Sequence, residues 1–262
     1  MALQPKDWED LKIARQLLEN QGIAVKITHM LGTPIEKGFE MLPGNWRERV
    51  GDVTRSALTK AIDMAISTMN HAPVQTPSNR WHKIAVAATG GIGGFFGLAA
   101  LAAELPISTT IMLRSIADVA RSEGEDIDST ASQLACLEVF ALGGKSANDN
   151  AAESGYFAVR AALARTLSKA TEYVAQKGIA QKSAPALVRL IVQIAERFSI
   201  QVSEKAAAQA LPAIGAAGGA LINTLFIDHF QDMARGHFII RRLERQYGPE
   251  IVREAYEAIP EA

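Results

Sequence analysis

Two long stretches of small, uncharged residues limit the folds that this chain of 262 residues can adopt. The first covers residues 84–103 without a single charge, and the second covers residues 206–227. Both are rich in alanine and glycine, and each leads into a charged segment with helical periodicity. Residues this small let helix backbones approach closely. We therefore expect the two stretches to form central helical hairpins that pack on each other.

Elsewhere, apolar residues recur every three or four positions, as is typical of amphipathic helices. The clearest run begins at Trp46 and predicts a helix of about six turns. No alternating pattern long enough for a strand occurs. The sequence predicts an all-α fold, a multi-helix bundle built around the two Gly/Ala-rich hairpins.

A linker with two prolines, HAPVQTPSN, covers residues 71–79. The prolines disfavour helix at the residues that precede them. We therefore divide the chain into N-terminal helices with their linker, residues 1–79, and a helical core, residues 80–262. Both parts are expected to form one compact domain overall.

The composition narrows the class of protein. The 27 Lys and Arg residues nearly cancel the 28 Asp and Glu residues, so no basic field favours a nucleic-acid partner. Cys136 is the one cysteine and lies in an apolar run, which predicts a buried, inert thiol. The charged N-terminus lacks the apolar core of a signal peptide, so we expect a cytoplasmic protein.

Motifs for common catalytic sites do not occur. The run TGGIGG invites a dinucleotide-binding interpretation, but Phe96 stands where that pattern needs glycine. Gly-x-Ser-x-Gly and the phosphate-binding Walker pattern are absent from the sequence. No cofactor is expected.

Glu104 is the most informative single residue, because it interrupts an uncharged region. A carboxylate in apolar surroundings must become neutral, pair with a cation or face water. Arg114 is the expected partner if Pro106 only kinks the helix; if Pro106 instead begins a new helix, Glu104 lies in the joint. A buried ion pair and a polar spot in a binding cleft both remain open.

The second stretch ends in a further group of polar residues. Asp228, His229 and Asp232 share a helix surface and could supply half of a metal site, but no second helix carries a matching set. His237 follows His229 by eight positions, about 12 Å along a helix, so it cannot join the same ion. No metal is expected. Asn223 is expected to be a hydrogen-bonded, buried amide.

If the hairpins run side by side, the polar groups at their far ends should converge at one end of an apolar chamber, the usual form of a binding site. The candidate ligand-binding residues are Glu104, Arg114, Asn223, Asp228, His229 and His237.

Three segments together resemble the bacterial EcsC family: GGIGGFFGLAALAAELPISTTIMLRSIADVARSEGED, LEVFALGGKS and LPAIGAAGGALINTLFIDHFQDMARGHFIIRRLERQYG. The resemblance covers residues 46–256. It implies a bacterial, largely helical and membrane-associated protein, and, because the family is named for a protein encoded beside the Ecs ABC transporter, an ABC transporter as partner. The family's acidic-Leu-Pro position falls on Glu104, and its Asn-Thr-Leu-Phe segment begins at Asn223. Neither carries a catalytic role to transfer.

Three functions follow as hypotheses. The first is a non-enzymatic helical protein that binds a lipid-like ligand or a membrane surface. The second is a metal-dependent or carboxylate-based hydrolase with a site at Glu104, Asn223 and His229. The third is an oligomeric interaction scaffold.

Both stretches are long enough to span a bilayer, at about 20 residues, but their small side chains insert weakly. We therefore expect them to be buried in a soluble fold that binds membranes peripherally.

Overall fold

The computed structural model describes residues 3–19, 22–69, 97–142, 155–177, 185–211 and 215–260. These residues form ten α-helices and one short 3-10 turn at Val139–Ala141, so the all-α prediction is confirmed. In chain order the helices are α1 (Pro5–Glu19), α2 (Ile23–Leu31), α3 (Glu36–Glu40), α4 (Trp46–Met69), α5 (Gly97–Ser122), α6 (Thr130–Glu138), α7 (Tyr156–Lys177), α8 (Pro185–Ala210), α9 (Gly215–Tyr247) and α10 (Pro249–Glu257).

Local signals in the sequence set several helix ends. The hydroxyl of Ser129 accepts a hydrogen bond from the backbone N–H of Ser132, which caps the start of α6. Gly248 has a φ of 92° and is followed by Pro249 at the first position of α10. Because a side chain disfavours that backbone conformation, glycine allows the chain to turn from α9 into α10.

Helix α5 runs through Pro106 without a break, which decides between the two expectations for this residue. Pro106 therefore lies inside a helix of 26 residues rather than at the start of a new one. Helix α9 is also continuous, with 33 residues that join the end of the second Gly/Ala-rich stretch to the charged segment.

Helices α5 and α9 run parallel to each other. Gln231 of α9 donates a hydrogen bond to Ser115 of α5, and Arg241, ten residues further along α9, binds Glu125 in the turn that follows α5. The Ser115–Gln231 pair is separated by 116 positions, which sets the register of the two helices, and the second contact shows that they run in the same direction. The two helices that follow the Gly/Ala-rich stretches thus lie side by side and point in the same direction.

The other helices pack around this pair. Helices α4 and α8 contact α5, α1 lies along α9, and α7 packs on α8. One hydrophobic cluster extends from Leu11 to Tyr256 and includes the buried Cys136, as predicted for that thiol. The predicted boundary between residues 79 and 80 lies outside the described residues.

Parts of both Gly/Ala-rich stretches, residues 84–96 and 212–214, also lie outside the described residues. The predicted contact of the two hairpins through their glycines therefore stays a prediction. Within the described ranges, no helix is both long and apolar enough to cross a membrane.

Candidate functional site

The polar group nearest the start of α5 is an ion pair between Glu104 and Lys205 of α8. Lys205 Nζ donates a hydrogen bond of 2.6 Å to Glu104 Oε1, and the two side chains expose 0% and 4% of their surface. The predicted buried ion pair is present, but the prediction of Arg114 as its partner is wrong. Arg114 lies ten positions further along α5, about 15 Å of helix rise, and its side chain is exposed.

The Lys205 ammonium lies between a carboxylate and an aromatic ring. Its Nζ atom is 5.0 Å from the centroid of the Phe226 ring on α9. Phe226 in turn packs against Phe198 and Phe230, with ring centroids 5.9 and 5.2 Å away. A cation loses its hydration in such surroundings, so the carboxylate and the ring face together stabilise its charge. Three helices, α5, α8 and α9, meet at this ammonium.

The second carboxylate oxygen of Glu104 does not bind Lys205. Among the residues that the structure describes, buried Glu104 Oε2 has no hydrogen-bond partner, and neither has the buried hydroxyl of Thr109 on the same helix. Most buried polar atoms in proteins have a partner. The carboxylate can therefore accept one further hydrogen bond.

The helix register places Asn223 close to this ion pair. Asn223 precedes Gln231 by eight positions, and the register set by the Ser115–Gln231 pair places Asn223 level with residue 107 of α5. Asn223 also lies three positions, about one helical turn, before Phe226, whose ring centroid is 5.0 Å from Lys205 Nζ. Asn223 is fully buried. The register thus supports the predicted convergence of Glu104 and Asn223.

His229 faces a different neighbour. It follows Asn223 by six positions, a rotation of about 240° around α9. Burial, together with the charge of Lys26 on α2, lowers the pKa of His229 to about 4, and the ring is neutral at pH 7. Lys26 also lies 3.6 Å from Asp232. His229 and the half-buried Asp228 therefore lend no support to a shared site with Glu104.

No group of three or more His, Cys, Asp or Glu side chains within the described ranges has the arrangement of a metal site. The Glu104–Lys205 ion pair can therefore stabilise the fold or bind a ligand. The geometry itself names no reaction.

Comparison with known protein families identifies the family of this chain. The model of the EcsC protein family matches residues 5–243, which is most of the chain. The chain belongs to the EcsC protein family. The match begins in α1, so the family unit includes the N-terminal helices that the resemblance over residues 46–256 left out. Comparisons with curated proteins and with solved structures give no match.

This EcsC-family chain holds a second buried polar cluster around His237. The Tyr156 hydroxyl lies 2.9 Å from His237 Nδ1, and His237 Nε2 lies 3.9 Å from Glu138 Oε2. His237 is 14 positions beyond Asn223, about 21 Å along α9, so it belongs to this cluster and not to the Glu104 site. The cluster connects α6, α7 and α9.

Desolvation dominates the chemistry of that cluster. Burial raises the pKa of Glu138 to about 7, even though Arg160 and Arg241 lower it. Burial and the same two arginines hold the pKa of His237 well below its usual range. Arg160 itself binds both carboxylate oxygens of Glu244, at 2.6 and 3.0 Å. The histidine is thus neutral, and its Nδ1 accepts a hydrogen bond from the Tyr156 hydroxyl when Nε2 carries the ring hydrogen.

Replacing Glu138 by glutamine should change the pH dependence of stability in this EcsC-family protein. Between about pH 4.5 and pH 7 the unfolded chain loses the Glu138 proton while the folded chain keeps it, so this residue makes stability fall as pH rises. The difference in free energy of unfolding between Glu138→Gln and wild type should therefore shift in favour of the variant by about 2 kcal/mol from pH 5 to pH 8. Urea unfolding at both pH values measures it.

The exposed Glu9→Gln is the control, since the side chain of Glu9 is 65% exposed. An equal shift in both variants would contradict the assignment to Glu138.

Sequence reasoning missed Lys205, Tyr156 and Glu138. Lys205 follows a glutamate in the segment SEKAAAQA, so it resembles the charged face of a helix. The signal available was its position at the edge of an alanine run, where a charge is unusual.

Proposed function

We propose that this protein binds the surface of a lipid bilayer through the N-terminal halves of α5 and α9. The observation that carries the proposal is an uncharged surface at the same level of two parallel helices. Residues 97–113 contain one charge, the buried Glu104, and residues 215–227 contain none. Membrane-surface helices bind through apolar side chains of this kind.

Two exposed apolar side chains mark this surface. Ile107 on α5 is 48% exposed and Leu221 on α9 is 47% exposed. The register of 116 positions puts Leu221 level with residue 105, within one turn of Ile107. The sequence continues upstream of α5 as a further uncharged segment, residues 84–96.

Vesicle flotation tests the proposal. The double variant Ile107→Asp and Leu221→Asp should weaken binding to phosphatidylcholine vesicles by about tenfold or more, because each charge would have to enter the apolar layer. The matched control is Ile13→Asp with Val188→Asp, whose parent side chains are 41% and 42% exposed on α1 and α8. The control should bind as wild type does.

Salt separates apolar from electrostatic binding. Because Glu104, which is buried, is the one charged residue in 97–113 and 215–227, binding should change little between low and high salt and should not require anionic lipid. Failure of the wild-type protein to float with vesicles contradicts the proposal. A lipid found by extraction and mass spectrometry in protein that does not float would favour a lipid-like ligand instead.

The hydrolase hypothesis has less support than membrane binding. Glu104 is held by Lys205, and the charge that acts on His229 is that of Lys26 on α2. An ABC transporter as partner rests on the family resemblance and stays a prediction.

A further inference from the structure

We propose that residues 97–105 of α5 form a hinged arm, latched by the Glu104–Lys205 ion pair and released when the protein meets a bilayer. The proposal rests on the proposed membrane function and names how the same surface is regulated. It has three supports: a weak point in the helix, an asymmetric set of polar contacts, and an incompletely satisfied latch.

The weak point lies at Pro106. Proline has no N–H group, so the carbonyl of Ala102 loses its helical hydrogen bond. On the other side, the Ser108 hydroxyl donates to the carbonyl of Leu105 at 3.1 Å, and the Thr110 hydroxyl donates to that of Pro106 at 2.7 Å. Such back-bonding bends helices and competes with their backbone hydrogen bonds. The helix is therefore weakest where the arm joins it.

The polar contacts of α5 are distributed unevenly about that point. Beyond Pro106, α5 is tied to α9 by the Ser115–Gln231 hydrogen bond at 2.8 Å, and the turn that follows α5 is tied to α9 by the ion pairs Glu123–Arg242 at 3.0 Å and Glu125–Arg241 at 2.9 Å. Before Pro106, Glu104 is the only charged residue of the helix. Within the described part of the chain, one ion pair thus supplies the charged contact of the arm, where several polar contacts hold the region beyond Pro106.

The ion pair of the latch is also only weakly stabilised, because its lost hydration is not fully replaced. Lys205 and Glu104 have given up their hydration, and Glu104 Oε2 receives no hydrogen bond in return. A buried ion pair of this kind regains its hydration when it opens. In water the burial of Leu101 and Leu105, which are 2% and 0% exposed, acts together with the latch to keep the arm closed. A bilayer can cover these two leucines instead, and so it removes the cost of opening.

Distance measurements by pulsed electron paramagnetic resonance test the arm directly. One nitroxide label is attached at Ala103→Cys, an exposed position of the arm, and the other at Val188→Cys on α8. Burial raises the pKa of the native Cys136 to about 12, so the label does not react there. With phosphatidylcholine vesicles this distance should lengthen. The control pair, Arg121→Cys with Val188→Cys, reports the other half of α5 and should not change.

The latch is tested with the double variant Glu104→Gln and Lys205→Met, which removes both charges and leaves neither unpaired. It should reach the open distance at about tenfold lower lipid concentration than wild type. Arg160→Met with Glu244→Gln removes another ion pair between α7 and α9 and should behave as wild type. A similar shift in both double variants would overturn the latch, because general loss of stability would then explain it.

The outcomes separate the two proposals. If the wild-type protein floats with vesicles while the distance from 103 to 188 stays constant, the arm does not open and membrane binding stands. If the protein does not float, both proposals fail. If the control pair at 121 lengthens as much as the arm pair, α5 moves as a whole and the hinge at Pro106 is wrong.

Discussion

Replacing Lys205 by methionine should lower the free energy of unfolding by about 3–5 kcal/mol. The substitution keeps the length of the side chain but leaves the buried Glu104 without its one hydrogen-bond donor. Chemical denaturation at pH 7 measures the loss. The result should be much larger than for Lys12→Met, since the Lys12–Glu9 pair lies on the surface, where such pairs contribute about 0–1 kcal/mol.

A double-mutant cycle shows whether the unpaired charge is the cause. Adding Glu104→Gln to Lys205→Met should restore most of the lost stability, because the remaining amide is neutral. A loss below about 1 kcal/mol for Lys205→Met alone, or no recovery in the double variant, would show that the carboxylate reaches water or another cation.

Replacing Gly38 by alanine should also destabilise the fold severely, by about 3 kcal/mol or more. A Cβ atom at this position would lie 2.0 Å from the carbonyl oxygen of Ala207 and 2.6 Å from its carbonyl carbon. Both atoms belong to the backbone of α8, so no side chain can move aside. Helix α3 would have to lift away from α8.

Gly51 provides the matched control. It lies inside α4, and a Cβ atom there would meet nothing within 4 Å. Gly51→Ala should therefore stabilise the protein by about 0.5–1 kcal/mol, since alanine favours helix. Thermal unfolding of both variants distinguishes the close approach at α3 from a general effect of glycine replacement. Equal melting temperatures of the two variants would contradict the close approach of α3 to α8.

The helices themselves are predictable because their signals are local. The apolar repeat that begins at Trp46 gives α4 its bounds, and Ser129 caps α6 through its own neighbours in the chain. The continuity of α5 was less predictable. Proline inside a helix removes one hydrogen bond, and only the packing of α4, α8 and α9 around α5 decides whether the helix continues.

The partners of buried polar groups could not be predicted in the same way. Glu104 was expected to be buried and paired, which follows from its apolar surroundings, and that part is confirmed. The identity of its partner depends on how α8 crosses α5, and the choice of Arg114 came from one helix considered alone. The contact between Tyr156 and His237 likewise joins residues 81 positions apart, with no local pattern to show it.

The separation of Glu104 and Lys205 also affects how the chain acquires its fold during synthesis. The two residues are 101 positions apart, and ribosomes add about 5–20 residues per second. Glu104 therefore emerges about 5–20 seconds before its cation exists. During this interval α5 has no partner for its carboxylate and no α9 to lie beside, so its N-terminal half cannot reach its final environment. The nascent chain thus presents an uncharged, aggregation-prone segment until the last third of the protein has been made.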